Sequence, residues 1–236
     1  MNKVTGFYLR VGLAVVQIFS VYLLHAQEVV DRYADSLPDI SQMRIEFGQH
    51  KKIPPQYEAT ILKALSFYPE LKDKRIDFVL RKGYAPLSAR PSFGGIFLNA
   101  KKRKYKVFIS TKVKGEWDKY TLKNMPYNPS VGIVGHELGH VQNFTKMSGW
   151  QLIKLGVKHT SANYMNRFEY LTDSLVIAQG MGDYLLASAM YAREVFNAPD
   201  IEQLHVKGEK GNYSERYMSP ATIRAYMADM KKSPTR

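Results

Sequence analysis

Residues 135–143, "GHELGHVQN", carry two histidines four positions apart, with a glutamate directly after the first. On an α-helix, residues i and i+4 lie on one face, so His136 and His140 can offer imidazole nitrogens to one ion. Glu137 projects about 100° around the helix, where it does not share that ion but reaches a water molecule beside it. The stretch therefore predicts two zinc ligands and a general base. The competing interpretation is an ordinary helix that happens to carry two imidazoles.

The residues around the motif favour the metal site. They are largely apolar, so two histidines and a glutamate among them need binding partners. Three glycines also recur in this helix, and because glycine costs about 1 kcal/mol relative to alanine in a helix interior, they predict a close backbone approach. The apolar residues are Ile133, Val134, Leu138, Val141 and Phe144, and the glycines are Gly132, Gly135 and Gly139.

A catalytic zinc ion usually has three protein ligands and one open position, so a third ligand must be found elsewhere. A metzincin site would need glycine at position 143 and histidine at position 146, where this chain has Asn143 and Lys146. A deformylase-like site would need a cysteine, and the chain has none. The remaining candidates are a carboxylate or His159.

Residues 166–180, "NRFEYLTDSLVIAQG", supply the best carboxylate. Glu169 and Asp173 are four apart in a stretch rich in apolar residues, where a pair of carboxylates is costly unless something binds it. We expect Glu169 to be the third ligand and Asp173 to accept the outer N–H of a ligand histidine. The alternatives are that Asp173 or His159 is the ligand, or that the two carboxylates pair with Arg167, Arg193 or helix caps.

"HELGH" at 136–140 followed by "EYLTD" at 169–173 resembles the gluzincin metallopeptidases, whose second signature is Glu-x-x-(Ala/Ser/Thr)-Asp. The nearest likeness is to the HtpX-like and CAAX-prenyl-protease-like peptidases, and it covers about residues 90–185. The resemblance implies a zincin-like fold and one zinc ion. It implies that His136, His140 and Glu169 are zinc ligands and that Glu137 is the general base. It also implies that Asp173 does not touch the ion but accepts a hydrogen bond from a ligand histidine.

The chain departs from that family in two respects. Such peptidases often have flanking membrane helices, which the sequence does not predict here. They also carry a downstream histidine or arginine near a proline that stabilises the transition state, whereas this chain reads "SERYMSPATIR" at 214–224. Four residues remain candidates for that role: Tyr217, Tyr213, Arg216 and His205.

The order of the predicted elements indicates one domain of α+β class, with a small sheet before a helical half. Strands are predicted at "RIDFVLRKG" (75–83) and "YKVFIST" (105–111), with another candidate between them. "YKVFIST" is expected to be the edge to which an extended peptide pairs. Helices are predicted at 55–68, from Pro129 to Met147, at 164–180, at 183–197 and at 220–232, with Asn128 and Ser219 as N-caps.

The N-terminal residues 1–26 have the pattern of a secretory signal peptide. Lys3 and Arg10 precede an uncharged apolar run of 14 residues, Val11 to Leu24, which is shorter than the roughly 20 that a membrane-spanning helix needs. Cleavage is expected after Ala26, which makes the protein periplasmic or secreted; the alternative is an uncleaved N-terminal membrane anchor. Residues 27–236 then form a single metallopeptidase domain, in which 27–52 is a polar lead-in with a weak helical start near 29–36.

The net charge of +13 favours anionic partners. "KKRKYK" at 101–106 suggests nucleic acid, but a solvated hairpin turn is the stronger interpretation. Nucleic acid is therefore not expected; the expected partner is a peptide substrate, and an anionic envelope polymer or lipid surface is a further candidate. The sequence thus predicts an exported zinc-dependent endopeptidase. The alternative is a non-catalytic exported protein of the cell envelope that binds a metal for structure.

Overall fold

The computed structural model describes residues 39–100, 102–158, 160–197 and 216–232, all within one compact unit from Pro38 to Arg236. The signal peptide, the helical start near 29–36, His159, His205 and Tyr213 lie outside the described residues. The fold is α+β, and its small mixed sheet precedes a helical half, as the sequence predicts. None of the described helices has both the length and the hydropathy of a transmembrane span.

The sheet has four strands in the order β1-β2-β4-β3: β1 (Lys51–Lys52), β2 (Arg75–Lys82), β3 (Leu87–Pro91) and β4 (Lys104–Lys112). β1, β2 and β4 are parallel, and β3 is antiparallel to β4.

The strands predicted at 75–83 and 105–111 are confirmed as β2 and β4. The expectation that "YKVFIST" forms an edge is wrong, because β4 lies between β2 and β3. Its near-continuous buried run, from Val107 to Ser110, suits a central strand, and β3 is the edge.

The "KKRKYK" run is a solvated turn only in part: Lys101 lies outside the described residues, Lys102 is exposed in a turn, and β4 begins at Lys104. Arg103 is only 2% exposed, and its guanidinium donates to four backbone carbonyls, those of Gly95, Leu98, Phe144 and Met147, at 2.9 to 3.1 Å. Tyr105 is fully buried in β4. Arg103 therefore links the β3–β4 connection to the helical half, because one planar guanidinium can donate hydrogen bonds to several carbonyls at once.

Seven α-helices are described: α1 (Ile40–Phe47), α2 (Glu58–Leu65), α3 (Tyr127–Lys146), α4 (Gly149–Lys158), α5 (Ala162–Val176), α6 (Gly182–Val195) and α7 (Pro220–Lys232). A π-helical turn, Ile177–Met181, joins α5 to α6, and Gly180 there has φ +85°. The amide of Thr222 donates to the Ser219 hydroxyl, the cap predicted for α7. Asn128 is not the cap of α3, which begins at Tyr127. The sequence analysis did not predict α1 or α4.

Helix α3 is the centre of the helical half, with 15 of its 20 residues buried. The predicted close approach at its glycines is confirmed. A side chain at Gly132 would clash with the backbone carbonyl of Tyr184 in α6, and one at Gly139 would press on the methyl group of Thr172 in α5. The buried hydroxyl of Tyr68 also contacts this helix and donates to the Gly135 carbonyl at 2.7 Å. These contacts fix the depth and rotation of the helix that carries the histidines.

Gly132→Ala should destabilise the fold by about 2 kcal/mol or more, because the added methyl group meets rigid backbone that can move only if α3 and α6 separate. Gly156→Ala is the matched control, since Gly156 also lies inside a helix but has open space around it. That change should stabilise by about 0.5 to 1 kcal/mol through helix propensity alone. Urea denaturation followed by circular dichroism measures both. Equal effects at the two positions would contradict the close-packing explanation.

Candidate metal centre

Helices α3 and α5 bring three potential metal ligands together. The Nε2 atoms of His136 and His140 lie 3.1 and 3.0 Å from the same oxygen of Glu169, Oε2. The ligand atoms of all three residues lie within 4.8 Å of one another, and all three residues are buried. Two imidazoles and a carboxylate that converge on one point form a group that could hold a metal ion.

The outer nitrogen of His136 is held by Asp173. His136 Nδ1 lies 2.8 Å from Asp173 Oδ1, and the second carboxylate oxygen, Oδ2, accepts from the backbone amide of Met218 at 2.8 Å. Both oxygens of Asp173 are therefore engaged, one by the outer nitrogen of His136 and the other by the Met218 amide, and the candidate ligand group contains Glu169 instead. A carboxylate behind a ligand histidine fixes the orientation of its ring and raises its basicity.

Thr172 does the same for His140, which the sequence analysis missed. Its hydroxyl donates to the Phe168 carbonyl at 2.9 Å and lies 3.3 Å from His140 Nδ1, from which it can accept. The methyl group of Thr172 is accommodated by Gly139. The signal was present in "EYLTD", where a hydroxyl residue stands directly before the acidic residue that supports His136. Both ligand histidines thus have Nε2 directed inward and Nδ1 held from outside.

The hydrogen bonds within the group shift the pKa values of His136 and Glu169 in opposite directions. Burial lowers the pKa of His136, but hydrogen bonds to Asp173 and Glu169 outweigh it and hold this pKa well above 6.5. Burial raises the pKa of Glu169, yet hydrogen bonds from His136 and His140 outweigh it and hold that pKa far below its usual range. A histidine that bonds carboxylates through both nitrogens donates from both, so without a metal His136 is an imidazolium. A metal cation must displace that proton.

Glu137 lies beside the ligand group without joining it. It is buried, and burial raises the pKa of its carboxyl, with a partial opposing effect from the charges of His140 and His136. The Ala89 amide in edge strand β3 donates to its carboxylate. Its Oε2 atom has no hydrogen-bond partner among the described residues. An unpartnered buried carboxylate oxygen is costly, which indicates that it serves something other than the fold.

A cavity of about 630 Å³ opens beside these residues, and His136, Glu137 and Asp173 are part of its lining. Most of the remaining wall is apolar or aromatic: Leu87, Trp117, Tyr120, Leu185 and Phe196. Of the four candidates for stabilising a transition state, Tyr217 and Arg216 line this cavity. Tyr217 packs against His136 with ring centroids 5.6 Å apart. His205 and Tyr213 lie outside the described residues.

Tyr217 is 52% exposed, and its partial burial together with the neighbouring charges of Glu169, Glu137 and Asp173 raises its pKa, against an opposing effect of Arg216. Its hydroxyl therefore stays protonated near neutral pH and can donate a hydrogen bond.

Comparison with protein-family models, curated proteins and solved structures finds no match to this chain.

Zinc binding should release about one proton per ion near pH 7, because the His136 imidazolium must lose its proton to ligate. The apparent affinity should then rise about tenfold per pH unit while the metal-free protein remains protonated there. Isothermal titration calorimetry in buffers of different ionisation enthalpy counts the protons.

Asp173→Asn is the matched control, because it removes a charge that raises the pKa of His136. We expect fewer protons released and a zinc affinity lower by roughly 10- to 100-fold. Zinc binding whose affinity does not change between pH 6 and pH 8 would contradict the imidazolium assignment.

Proposed function

We propose that this protein is an exported zinc-dependent endopeptidase, with His136, His140 and Glu169 as zinc ligands and Glu137 as general base. The observation that carries the proposal is the unpartnered Oε2 atom of buried Glu137, which lies next to a three-residue candidate ligand group and, with His136, lines a cavity. A purely structural metal site needs neither the spare carboxylate nor the cavity. The resemblance to gluzincin peptidases in "HELGH" and "EYLTD" supports the same conclusion.

The residues fit zinc by their chemistry. Two neutral imidazoles and one carboxylate form a common donor set of catalytic zinc, and three protein ligands leave a position open. Asp173 and Thr172 supply the outer partners that such histidines generally have. Zinc, when bound there, lowers the pKa of a water molecule toward about 7 and polarises a substrate carbonyl.

Glu137 takes a proton from the attacking water and passes it to the leaving amine. Two features of the site suit that role. Burial raises the pKa of its carboxyl toward the working pH, and the Ala89 amide fixes the position of the carboxylate while Oε2 stays available. In this proposal the hydroxyl of Tyr217, whose ring contacts His136 and which lines the cavity, donates to the oxyanion that forms as the carbonyl is attacked.

Strand β3 gives a peptide substrate its docking edge. It is one of the two outer strands of the sheet, and Ala89 lies in its middle, so an extended peptide that pairs with β3 would pass beside Glu137. The apolar cavity next to that position can take a large apolar side chain of the peptide. This assigns to β3 the role that the sequence analysis gave to "YKVFIST".

Glu137→Gln should leave zinc bound at one ion per chain and abolish peptide hydrolysis, because the amide keeps the shape of the side chain but cannot accept the proton. The chain from residue 27 is loaded with zinc and incubated with a library of denatured peptides, and cleavage sites are mapped by mass spectrometry. Identical cleavage by the Gln variant would refute the assignment of Glu137. An inert wild type that keeps one tightly bound zinc would favour the alternative, a non-catalytic metal-binding protein.

Glu169→Ala is the companion variant and tests the third ligand. We expect zinc affinity to fall at least about 100-fold, since losing a ligand costs more than losing its outer partner. Thr172→Val is the milder control, because it removes only the hydroxyl that holds His140 Nδ1. Unchanged zinc content in the Glu169 variant would move the third ligand to another residue.

Tyr217→Phe should lower kcat by roughly 100-fold while KM and zinc content stay nearly constant, because the hydroxyl donates only to charge that develops in the transition state. Steady-state kinetics on one cleaved peptide from the library measure both constants. An effect confined to KM would show that Tyr217 binds substrate without stabilising the transition state. Arg216→Ala, measured in parallel, distinguishes the contribution of the Tyr217 hydroxyl to kcat from that of the neighbouring Arg216 cation.

A further inference from the structure

Helix α4 presents apolar side chains on two faces. Leu152 and Leu155 are buried and attach the helix to the protein. Trp150, Ile153 and Val157 share the opposite side at i, i+3 and i+7 spacing and are exposed, Trp150 to 74%. A helix that keeps a tryptophan and two β-branched residues in solvent has an outer face that the described part of the fold leaves uncovered.

A second group of exposed apolar residues adjoins this face. Phe93, Phe97 and Leu98 lie in and just after a short 3₁₀ helix, Phe93–Phe97, and Phe93 is 94% exposed. The start of α4 lies against this turn, because a side chain at Gly149 would come within 2.5 Å of the Ile96 carbonyl oxygen. We call these six residues the apolar surface: Phe93, Phe97, Leu98, Trp150, Ile153 and Val157.

Buried Arg103 holds both halves of the apolar surface in place. Its guanidinium bonds the carbonyls of Gly95 and Leu98 within the first segment, and those of Phe144 and Met147 just before α4. The exposed apolar side chains therefore project from backbone that is tied into the fold. They form a surface whose backbone is held in place, unlike the tip of a flexible loop.

The two segments of the chain that carry the apolar surface have charges of one sign, of which Lys104 is paired with Asp77 from outside them. Residues 78–115 contain ten lysines and arginines and no acidic residue, and residues 138–168 contain four and none. Together these two segments carry +14, so the rest of the chain, with a total of +13, sums to −1. The entire net charge of the protein is thus concentrated in the segments that carry the exposed apolar residues, including the exposed Lys102, Lys154 and Lys158.

We propose that the apolar surface docks on an anionic lipid bilayer. Its aromatic and aliphatic side chains enter the boundary between headgroups and acyl chains, while the surrounding lysines contact the headgroups, as in an interfacial amphipathic helix. A duplex nucleic acid would use the lysines but not six exposed apolar side chains, and a single strand would stack on the aromatic rings but leave Leu98, Ile153 and Val157 unused. A second copy of the chain would bring two such cationic surfaces together, which repel. The proposal is independent of the proposed peptidase function.

The first test is co-sedimentation of the chain from residue 27 with vesicles, which removes the N-terminal apolar run from the measurement. We expect binding to phosphatidylcholine vesicles containing roughly one quarter phosphatidylglycerol, weak binding to phosphatidylcholine alone, and a decline as salt rises. Equal binding to both kinds of vesicle, or none to either, would overturn the proposal.

Two sets of variants separate the contributions of the apolar side chains and of the lysines. Trp150→Ser with Ile153→Ser, and Lys154→Glu with Lys158→Glu, should each weaken binding at least about tenfold. Their matched controls lie elsewhere on the described surface: Ile45→Ser, and Lys231→Glu with Lys232→Glu in α7, all exposed. Circular dichroism and zinc content check that each variant is folded. Equal losses from the control variants would refute docking through this surface.

Fluorescence tests insertion directly, because the chain has only two tryptophans. With Trp117→Phe, Trp150 is the remaining reporter, and its emission should shift to shorter wavelength on anionic vesicles and be quenched by brominated lipid. With Trp150→Phe, Trp117 should show neither effect. Emission of Trp150 that does not change on vesicles to which the protein is fully bound would contradict insertion.

Two further outcomes would replace the lipid bilayer by another partner. Binding to heparin or duplex DNA that is lost with the lysine variants but kept by the serine variants, without vesicle binding, would identify a polyanion site. A dimer in analytical ultracentrifugation that disappears with Trp150→Ser would identify a second copy of the chain as the partner.

Discussion

Two imidazoles and two carboxylates are buried together between α3 and α5, and their mutual pairing is the constraint on which the helical half depends. His136 joins Glu169 on one side and Asp173 on the other, at 3.1 and 2.8 Å. Removing charges from water costs several kcal/mol per ion unless partners and hydrogen bonds compensate. The two helices can therefore pack in this register only if the ionised groups meet, so the arrangement that builds the ligand group also fixes the helix pair.

The apolar packing around the cluster makes that meeting possible. Glycines on α3 let α5 and α6 approach at distances that any larger residue would prevent, with Gly139 receiving Thr172 and Gly132 receiving the backbone at Tyr184. The rings of His140 and Phe168 stack at 5.1 Å, which shields the imidazole on its face. Asp173 also binds the Met218 amide, which positions Tyr217 and the start of α7 against the site. One carboxylate thus connects three helices.

The sequence predicted those parts of the site that depend on local spacing. His136 and His140 share a face because of the helical repeat, and Glu169 was identified because two acidic residues in an apolar stretch need a partner. Thr172 and Arg103 were missed for a common reason: hydroxyl and guanidinium groups are ordinarily solvated, and only tertiary structure shows which ones are buried. The position of β4 was wrong because strand order depends on long-range pairing. Helix α4 was missed because Ser148 and Gly149 end one helix and begin the next.

Helix α3 connects the two features that the proposals concern. Its middle carries the ligand histidines, and its C-terminal carbonyls are bonded by Arg103, which also holds the segments of the apolar surface. His136 and Met147 are eleven residues apart, or about 16 Å along the helix axis at 1.5 Å per residue. Because α3 is buried over most of its length, the distance between its two ends is fixed by the surrounding packing. A bilayer that binds the apolar surface would therefore hold the metal centre at a fixed height above the headgroups. For the peptidase proposed above, peptide segments at that height would be the first substrates encountered.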